Sequence, residues 1–188
     1  MITTTIYNIR QCRPCGLEVG SKTGYNLLVT NLGKDYGDHK PVKFSQIVES
    51  NGLNDALWCL RSLGGEHLNT LKLFAISCAE ITLPLFESKY PEDTRPRLAL
   101  EKARAYIKGK CSKADLQSAA CDAANAANAA NDAVYDAHAD AANAAVYAAN
   151  AAVYASHADA ANAAVYAARA DAADVIHKVE SLLIETFS

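Results

Sequence analysis

One tract, residues 114–173, constrains the fold of this chain more than any other feature. About half of it is alanine, and it contains no glycine or proline. Alanine has the highest helix propensity, and glycine and proline are the residues that disfavour a helix interior most strongly. A unit also recurs within the tract, because VYDAHADAANAAVY at 134–147 returns as VYASHADAANAAVY at 153–166, an offset of 19 residues. The tract is therefore predicted to be helical and internally duplicated.

The larger residues of the tract follow one another at alternating steps of three and four, which places them on one stripe of a helix. The stripe consists of Asp136, Asp140, Asn143, Tyr147, Asn150, Tyr154 and His157. Two arrangements fit this pattern. The favoured one is a tight bundle in which Asp140 and Asp159 cap successive helices, and the alternative is one long helix that protrudes from the rest of the chain. An isolated alanine rod would bury little apolar surface, which favours the bundle.

The residues outside the tract also show helical spacing. Leucines recur every three or four residues over 53–63, and a broad apolar stripe over 67–86 predicts a buried helix that Pro84 should kink or end. Ser112 and Asp115 form a capping box at the start of the tract. We therefore predict an all-α protein, with a compact, mainly helical N-terminal domain over 1–112 and an alanine-rich acidic repeat module over 113–188 that ends in a docking helix.

The net charge of −3 conceals an asymmetry along the chain. Residues 1–113 carry 16 Lys/Arg and 11 Asp/Glu, whereas residues 114–188 carry 2 and 10. The acidic half disfavours nucleic acid as a partner and favours a basic protein surface, although the acids could equally serve only to keep an alanine-rich surface soluble. The N-terminus lacks the pattern of a signal peptide, and no run of about 18 apolar residues is free of polar interruption. We expect a cytoplasmic protein that does not associate with a membrane, with its six cysteines as free thiols.

Two sets of residues are candidate binding sites. Tyrosine combines a large ring with a polar tip and is enriched at interfaces, although the same rings could fill space between alanine helices. The predicted partner-binding residues are Tyr135, Asp136, Asp140, Tyr147, Asn150, Tyr154, His157 and Tyr166. A second candidate is a basic helix face with Arg97, Arg104 and Lys108, which could receive an anionic ligand or simply be a solvated surface.

The sequence offers little evidence for catalysis. Cys12 and Cys15 form the only CxxC pair, and no second pair or histidine follows at zinc spacing. His138 and His157 each precede an aspartate by two residues, but equivalent positions of a repeat usually preserve packing. Nucleophile-elbow, phosphate-loop and zinc-protease motifs are all missing from the sequence. We therefore predict no catalytic residues, no metal and no cofactor.

Several segments outside the repeat resemble a known family. They are NGLNDALWCLR at 51–61, LFAISCAE at 73–80, RPR at 95–97, ARA at 103–105 and GK at 109–110, followed by the degenerate alanine-rich repeat. Over roughly 43–173 the chain is similar to the Imm-5-like immunity proteins found in phages, prophages and bacterial toxin neighbourhoods. The resemblance implies a non-enzymatic role in which the protein binds and blocks a toxin or a host defence component.

Three functions follow as hypotheses. The first is a phage- or prophage-encoded immunity or anti-defence protein that neutralises a toxin or defence effector through its acidic, Tyr/Asn-lined helices. The second is sequestration or degradation of a small anionic nucleotide signalling molecule at the basic face. The third is a structural helical assembly protein, which would include homo-oligomers.

Overall fold

The computed structural model describes residues 1–15, 23–33, 35–133, 137–154, 156–169 and 173–187, and it confirms the all-α prediction. The helices are α1 (Ile6–Gln11), α2 (Gly24–Leu32), α3 (Phe44–Asn51), α4 (Leu53–Cys59), α5 (Leu68–Lys89), α6 (Arg95–Ile107), α7 (Lys113–Ala133), α8 (Ala137–Tyr154), α9 (His157–Arg169) and α10 (Ala173–Phe187). Short 3₁₀ turns at Leu60–Ser62 and Gly65–His67 lie between α4 and α5. Two short strands, β1 (Thr3–Thr4) and β2 (Val42–Lys43), pair antiparallel. This pairing was not anticipated from the sequence.

Helix α5 lies at the centre of the molecule. It packs against α6, α8, α9 and α10, and it buries large side chains such as Leu71, Phe74 and Ile76. The segment Gly65–Lys89 is long and apolar enough to cross a membrane by length and composition alone. Its packing against four neighbouring helices accounts for that hydrophobicity, because a core helix must be apolar on several sides. Pro84 was expected either to kink or to end this helix, and the second alternative is wrong, since α5 continues to Lys89.

The alanine-rich tract folds into a layer of helices, so the bundle is confirmed and the single protruding helix is wrong. α8 packs against α7 on one side, α9 on the other and α5 and α6 beneath. The described alanines of α8 are fully or almost fully buried: Ala141, Ala142, Ala144, Ala145, Ala148, Ala149, Ala151 and Ala152. A methyl side chain lets helix backbones approach closely, so each alanine helix can be covered on three sides by its neighbours.

The predicted caps within the layer need a correction. Asp140 and Asp159 lie inside the first turns of α8 and α9, which begin earlier at Ala137 and His157. At α9 the capping group is Ser156, whose Oγ accepts a hydrogen bond from the backbone N–H of Asp159 at 3.1 Å. Serine outcompetes aspartate here because it lies in the corner itself, three residues before the N–H that needs an acceptor. The carboxylates still lie near the positive ends of the helix dipoles.

At both ends of the alanine-rich half, the structure can be compared with the features predicted from the sequence. Ser112 Oγ accepts the Asp115 backbone N–H at 3.1 Å, which is one bond of the predicted capping box. The second bond joins the two side chains, because the Ser112 hydroxyl donates to the Asp115 carboxylate at 2.7 Å. At the other end, α10 packs on α3, α5 and α9, and the Phe187 ring contacts Phe44 and Phe74 at centroid distances of 5.3 and 5.2 Å. Buried residues from both sides of the predicted boundary at residue 112 belong to one hydrophobic cluster.

Candidate protein-binding surface

The polar stripe of α8 faces outward. Asp140, Asn143, Tyr147 and Asn150 are half-buried at the surface, Tyr154 is 58% exposed, and the alanines between them are buried. Periodicity alone left open whether the stripe pointed to solvent or to the core. Because α8 is covered on its other sides by α5, α6, α7 and α9, this face is the part of α8 that remains available to another molecule among the described residues. We call the outward residues Asp140, Asn143, Tyr147, Asn150 and Tyr154 the α8 stripe.

The repeat places a second, equivalent stripe beside the first. Asp159, Asn162 and Tyr166 of α9 follow Asp140, Asn143 and Tyr147 by 19 residues and are likewise half-buried at the surface. The Tyr147 and Tyr166 rings stack, with centroids 5.0 Å apart and planes inclined by only 11°. Stacked rings hold each other in place, so this pair offers a partner a rigid aromatic surface at low entropic cost.

Partial burial and the neighbouring Tyr166 phenol raise the pKa of Tyr147 above its usual value. Burial likewise raises the pKa of the Asp140 carboxyl group, while Arg169 acts in the opposite direction. Arg169 lies with its guanidinium carbon 5.3 Å from the Tyr166 ring centroid. The two stripes therefore combine partly desolvated acids, amides and stacked rings, which can pair with cations and hydrogen-bond donors.

Two of the predicted residues have contacts within the chain. Tyr154 accepts a hydrogen bond from Gln117 Nε2 at 3.0 Å, and the Lys113 ammonium lies 5.5 Å from its ring centroid. Its ring nevertheless remains mostly exposed. His157 Nε2 lies 3.3 Å from the Gly64 carbonyl oxygen, so it ties the start of α9 to the turn before α5. Tyr135 and Asp136 lie outside the described residues.

Arg61 adjoins the α9 stripe, and sequence reasoning did not single it out. Its Nη2 donates to Asn162 Oδ1 at 2.7 Å, and its guanidinium carbon lies 5.6 Å from the Trp58 ring centroid. Burial lowers the pKa of this guanidinium, with Asp159 among the groups that raise it. Its Nη1 is buried and has no hydrogen-bond partner within the described part of the chain. The sequence signal was weak, because the bond joins residues 101 positions apart.

The predicted basic face of α6 is occupied by carboxylates from α5. Arg97 donates to both carboxylate oxygens of Glu87, each at 2.6 Å, and Arg104 Nε donates to Glu80 at 2.6 Å. These paired hydrogen bonds raise the pKa values of both guanidinium groups. Lys108 is the C-cap of α6 and is exposed. An anionic nucleotide at this face stays a prediction, and it would have to compete with two intramolecular ion pairs.

The CxxC pair does not form part of a metal cluster in the described residues. Cys12 is half-buried, Cys15 is exposed, and all six cysteines are free thiols. A cavity of about 300 Å³ adjoins Cys15 and is lined mainly by apolar side chains of α1 to α4, together with Asn51 and Asp55. Asn51 Nδ2 donates to Asp55 Oδ2 at 2.8 Å, so these two polar groups already satisfy each other.

The comparisons with known proteins agree with the resemblance seen in the sequence. The model of a family described as "Imm-5 like putative immunity protein" matches residues 62–183, which is about two thirds of the chain. The matched region runs from the turn before α5 into α10 and contains both stripes. It begins just after the NGLNDALWCLR segment and Arg61. No curated protein and no solved structure matches this chain.

Proposed function

This chain belongs to the Imm-5-like immunity protein family, and we propose that it is a phage- or prophage-encoded binding inhibitor that neutralises a toxin or defence effector in the bacterial cytoplasm. It acts without catalysis, by covering the working surface of that effector. The surface that makes the contact is the pair of outward stripes on α8 and α9. An immunity protein implies a protein partner in general.

The observation that carries the proposal is the outward orientation of the large polar and aromatic residues. A stripe that only filled space between helices would be buried, yet Tyr154 is 58% exposed, and Tyr147, although it packs partly against the core, still reaches the surface. Tyrosines of this kind are the residues that contribute most energy at protein interfaces. The alanine layer beneath them is tightly packed, so the surface is presented with little loss of conformational entropy on binding.

The charge of the alanine-rich half indicates a basic partner. Residues 114–188 carry 10 acidic and 2 basic side chains, and Asp140 and Asp159 lie within the two stripes. Many toxins and defence effectors that act on nucleic acid or nucleotides need a basic working surface, because they bind phosphate groups. An acidic, aromatic surface complements such a site and accelerates the encounter at low salt.

A site-specific photocrosslinker tests where the partner binds. Benzoyl-phenylalanine would replace Asn150, which lies between Tyr147 and Tyr154, and in a matched control it would replace Asn54, which is exposed on α4. The labelled proteins are expressed in the bacterium that carries the gene, and crosslinked proteins are identified by mass spectrometry. The proposal expects one basic protein to be captured from position 150 and not from position 54.

The captured protein is then purified, and its affinity is measured for the wild type and for a double variant, Tyr147→Ala with Tyr154→Ala. We expect the double variant to bind at least about tenfold more weakly, because loss of a tyrosine that acts as an interface hot spot costs about 2 kcal/mol or more of binding free energy. Tyr7→Ala, which removes another exposed tyrosine, should bind normally. Binding that is insensitive to salt and survives the double substitution would refute the proposal.

A further inference from the structure

The two stripes contain the same pair of polar residues in the same repeat positions. In α9 the pair is Asp159 and Asn162, within HADAANAAVY at 157–166, and in α8 it is Asp140 and Asn143, within the identical HADAANAAVY at 138–147. Aspartate and asparagine three residues apart lie on one helix face and can act on a single group. Each pair is followed four residues later by a tyrosine, Tyr166 or Tyr147.

Asn162 of the α9 pair already accepts a hydrogen bond from a guanidinium group. Arg61 donates to its Oδ1 from Nη2 at 2.7 Å, and the Trp58 ring of α4 covers the guanidinium at 5.6 Å. Asp159 makes no hydrogen bond or ion pair with Arg61 among the described residues and acts on its charge only at longer range. An amide oxygen, a carboxylate and an aromatic face are the three features by which proteins usually hold arginine. Arg61 therefore shows that the asparagine of this repeat can bind a guanidinium group.

The α8 pair has the same chemistry, but no guanidinium is bound to it within the described part of the chain. Asn143 has no hydrogen-bond partner among the described residues, and it is half-exposed. Arg169 is near enough to influence Asp140 electrostatically, yet it is positioned over the ring of Tyr166 and makes no hydrogen bond or ion pair with Asp140. Tyr147 provides the aromatic ring at this copy, and Tyr166 stacks on one of its faces.

We propose that Asp140, Asn143 and Tyr147 form a binding site for an arginine side chain of the partner protein. This inference rests on the proposed function, and it specifies the chemistry of the partner. The incoming guanidinium donates to Asn143 Oδ1, as Arg61 does to Asn162, and stacks against the Tyr147 ring, as Arg61 does against Trp58. It also pairs with the Asp140 carboxylate. A lysine fits less well, because its ammonium is a strongly hydrated point charge that cannot stack as a plane.

Helix α7, the remaining helix of the alanine layer, contains a third copy of the pair that serves as an internal control. The sequence DAANAA also occurs in α7, where Asp122 and Asn125 are exposed, but position 129, four residues after Asn125, is alanine instead of tyrosine. This copy has the amide and the carboxylate without the ring. A guanidinium that needs all three groups should therefore prefer the α8 copy.

The test uses the full-length protein and a small probe, so it does not depend on finding the effector. N-acetyl-arginine-N-methylamide is titrated into isotopically labelled protein, and the side-chain amide signal of Asn143 and the ring signals of Tyr147 are followed by NMR. We expect saturable shifts at both residues, at least about threefold weaker binding of the matching lysine probe, and little change at Asn125. Equal binding of the two probes, or equal shifts at Asn125 and Asn143, would overturn the inference.

Two variants separate recognition from general charge attraction. Asn143→Ala removes the hydrogen-bond acceptor and should weaken arginine binding at least about threefold, whereas Asn128→Ala, which changes an exposed asparagine of α7, should leave it unchanged. An unaltered affinity of Asn143→Ala refutes the site. If the probe binds as expected but crosslinking finds no effector, the proposed function fails and the site stands. If an effector binds the stripes while the arginine probe does not, the proposed function stands and the arginine site is refuted.

Discussion

The contact between Arg61 and Asn162 gives the sharpest stability test, because the repeat supplies its own control. Asn162→Ala removes the oxygen that accepts from Arg61 Nη2 at 2.7 Å and leaves that guanidinium half-buried with a further unpaired donor. Asn143→Ala makes the same chemical change at the equivalent position of α8, where the described residues provide no hydrogen-bond partner. The difference between the free energies of unfolding of the two variants gives the contribution of the Arg61–Asn162 hydrogen bond to stability.

The expected magnitude follows from the burial of Arg61. A hydrogen bond to a charged group contributes about 1.5–3 kcal/mol, and half-exposure of Arg61 reduces this to about 1–2 kcal/mol. Both substitutions also gain up to about 0.7 kcal/mol of helix propensity. We therefore expect Asn162→Ala to lower the free energy of unfolding by about 1 kcal/mol and Asn143→Ala to leave it unchanged or slightly higher.

Urea unfolding followed by circular dichroism at 222 nm measures the difference. The two variants differ by the hydrogen-bond contribution of about 1–2 kcal/mol, so with a urea dependence of about 1–3 kcal/mol/M their midpoints should differ by roughly 0.3–2 M. Equal midpoints would show that the Asn162 side chain contributes no more to the free energy of unfolding than the Asn143 side chain does. In that case the assignment of Asn162 as the group that holds Arg61 would be wrong.

Three further predictions concern the alanine layer, the thiols and the stacked rings. Ala144→Leu inserts a large side chain into a fully buried position and should cost about 1–3 kcal/mol, whereas the exposed Ala158→Leu should change the thermal midpoint little. Burial raises the pKa of the Cys59 thiol to about 12, so Ellman's reagent at pH 8 should modify the exposed Cys121 quickly and Cys59 only after unfolding. The raised pKa of Tyr147 stabilises the fold below the unfolded value of about 10, and this contribution should disappear as the pH rises through the folded value. Tyr147→Phe should remove the latest phase of a phenolate absorbance titration at 295 nm, and an unchanged titration would contradict the assignment.

The helical class and the duplication could be predicted from the sequence, because both depend on local propensity and spacing. The periodicity also placed Asp140, Tyr147 and Tyr154 correctly on one helical stripe. It could not decide the direction of that stripe, since a stripe has the same spacing whether it faces solvent or core. The predicted caps lie inside the helices, because Asp140 is three residues after the first residue of α8 and Asp159 is two residues after the first residue of α9. Aspartate is favoured both at the cap and in the first turn, so its presence alone does not locate the start.

Long-range contacts were beyond sequence reasoning for a different reason. The partner of Arg61 lies 101 residues away, and the carboxylates that pair with Arg97 and Arg104 belong to the preceding helix. Nothing in the spacing of the basic residues of α6 shows that α5 presents acids to them. A basic stripe in a sequence is therefore weak evidence for an anion site until the neighbouring helix is known.

In the alanine layer, the buried residues determine the packing of the helices and the outward residues determine the chemistry of the surface. Buried alanines fix the distance between α7, α8 and α9, and a larger side chain can be placed only at an outward position without disturbing that packing. Each repeat therefore has a few positions, such as 143, 147 and 150, where a substitution changes the surface and leaves the core as it was. An inhibitor that must match one effector among many can vary these positions at little cost in stability. The proposed arginine site on α8 is then one of several binding specificities that the same fold could present, with other residues at these outward positions.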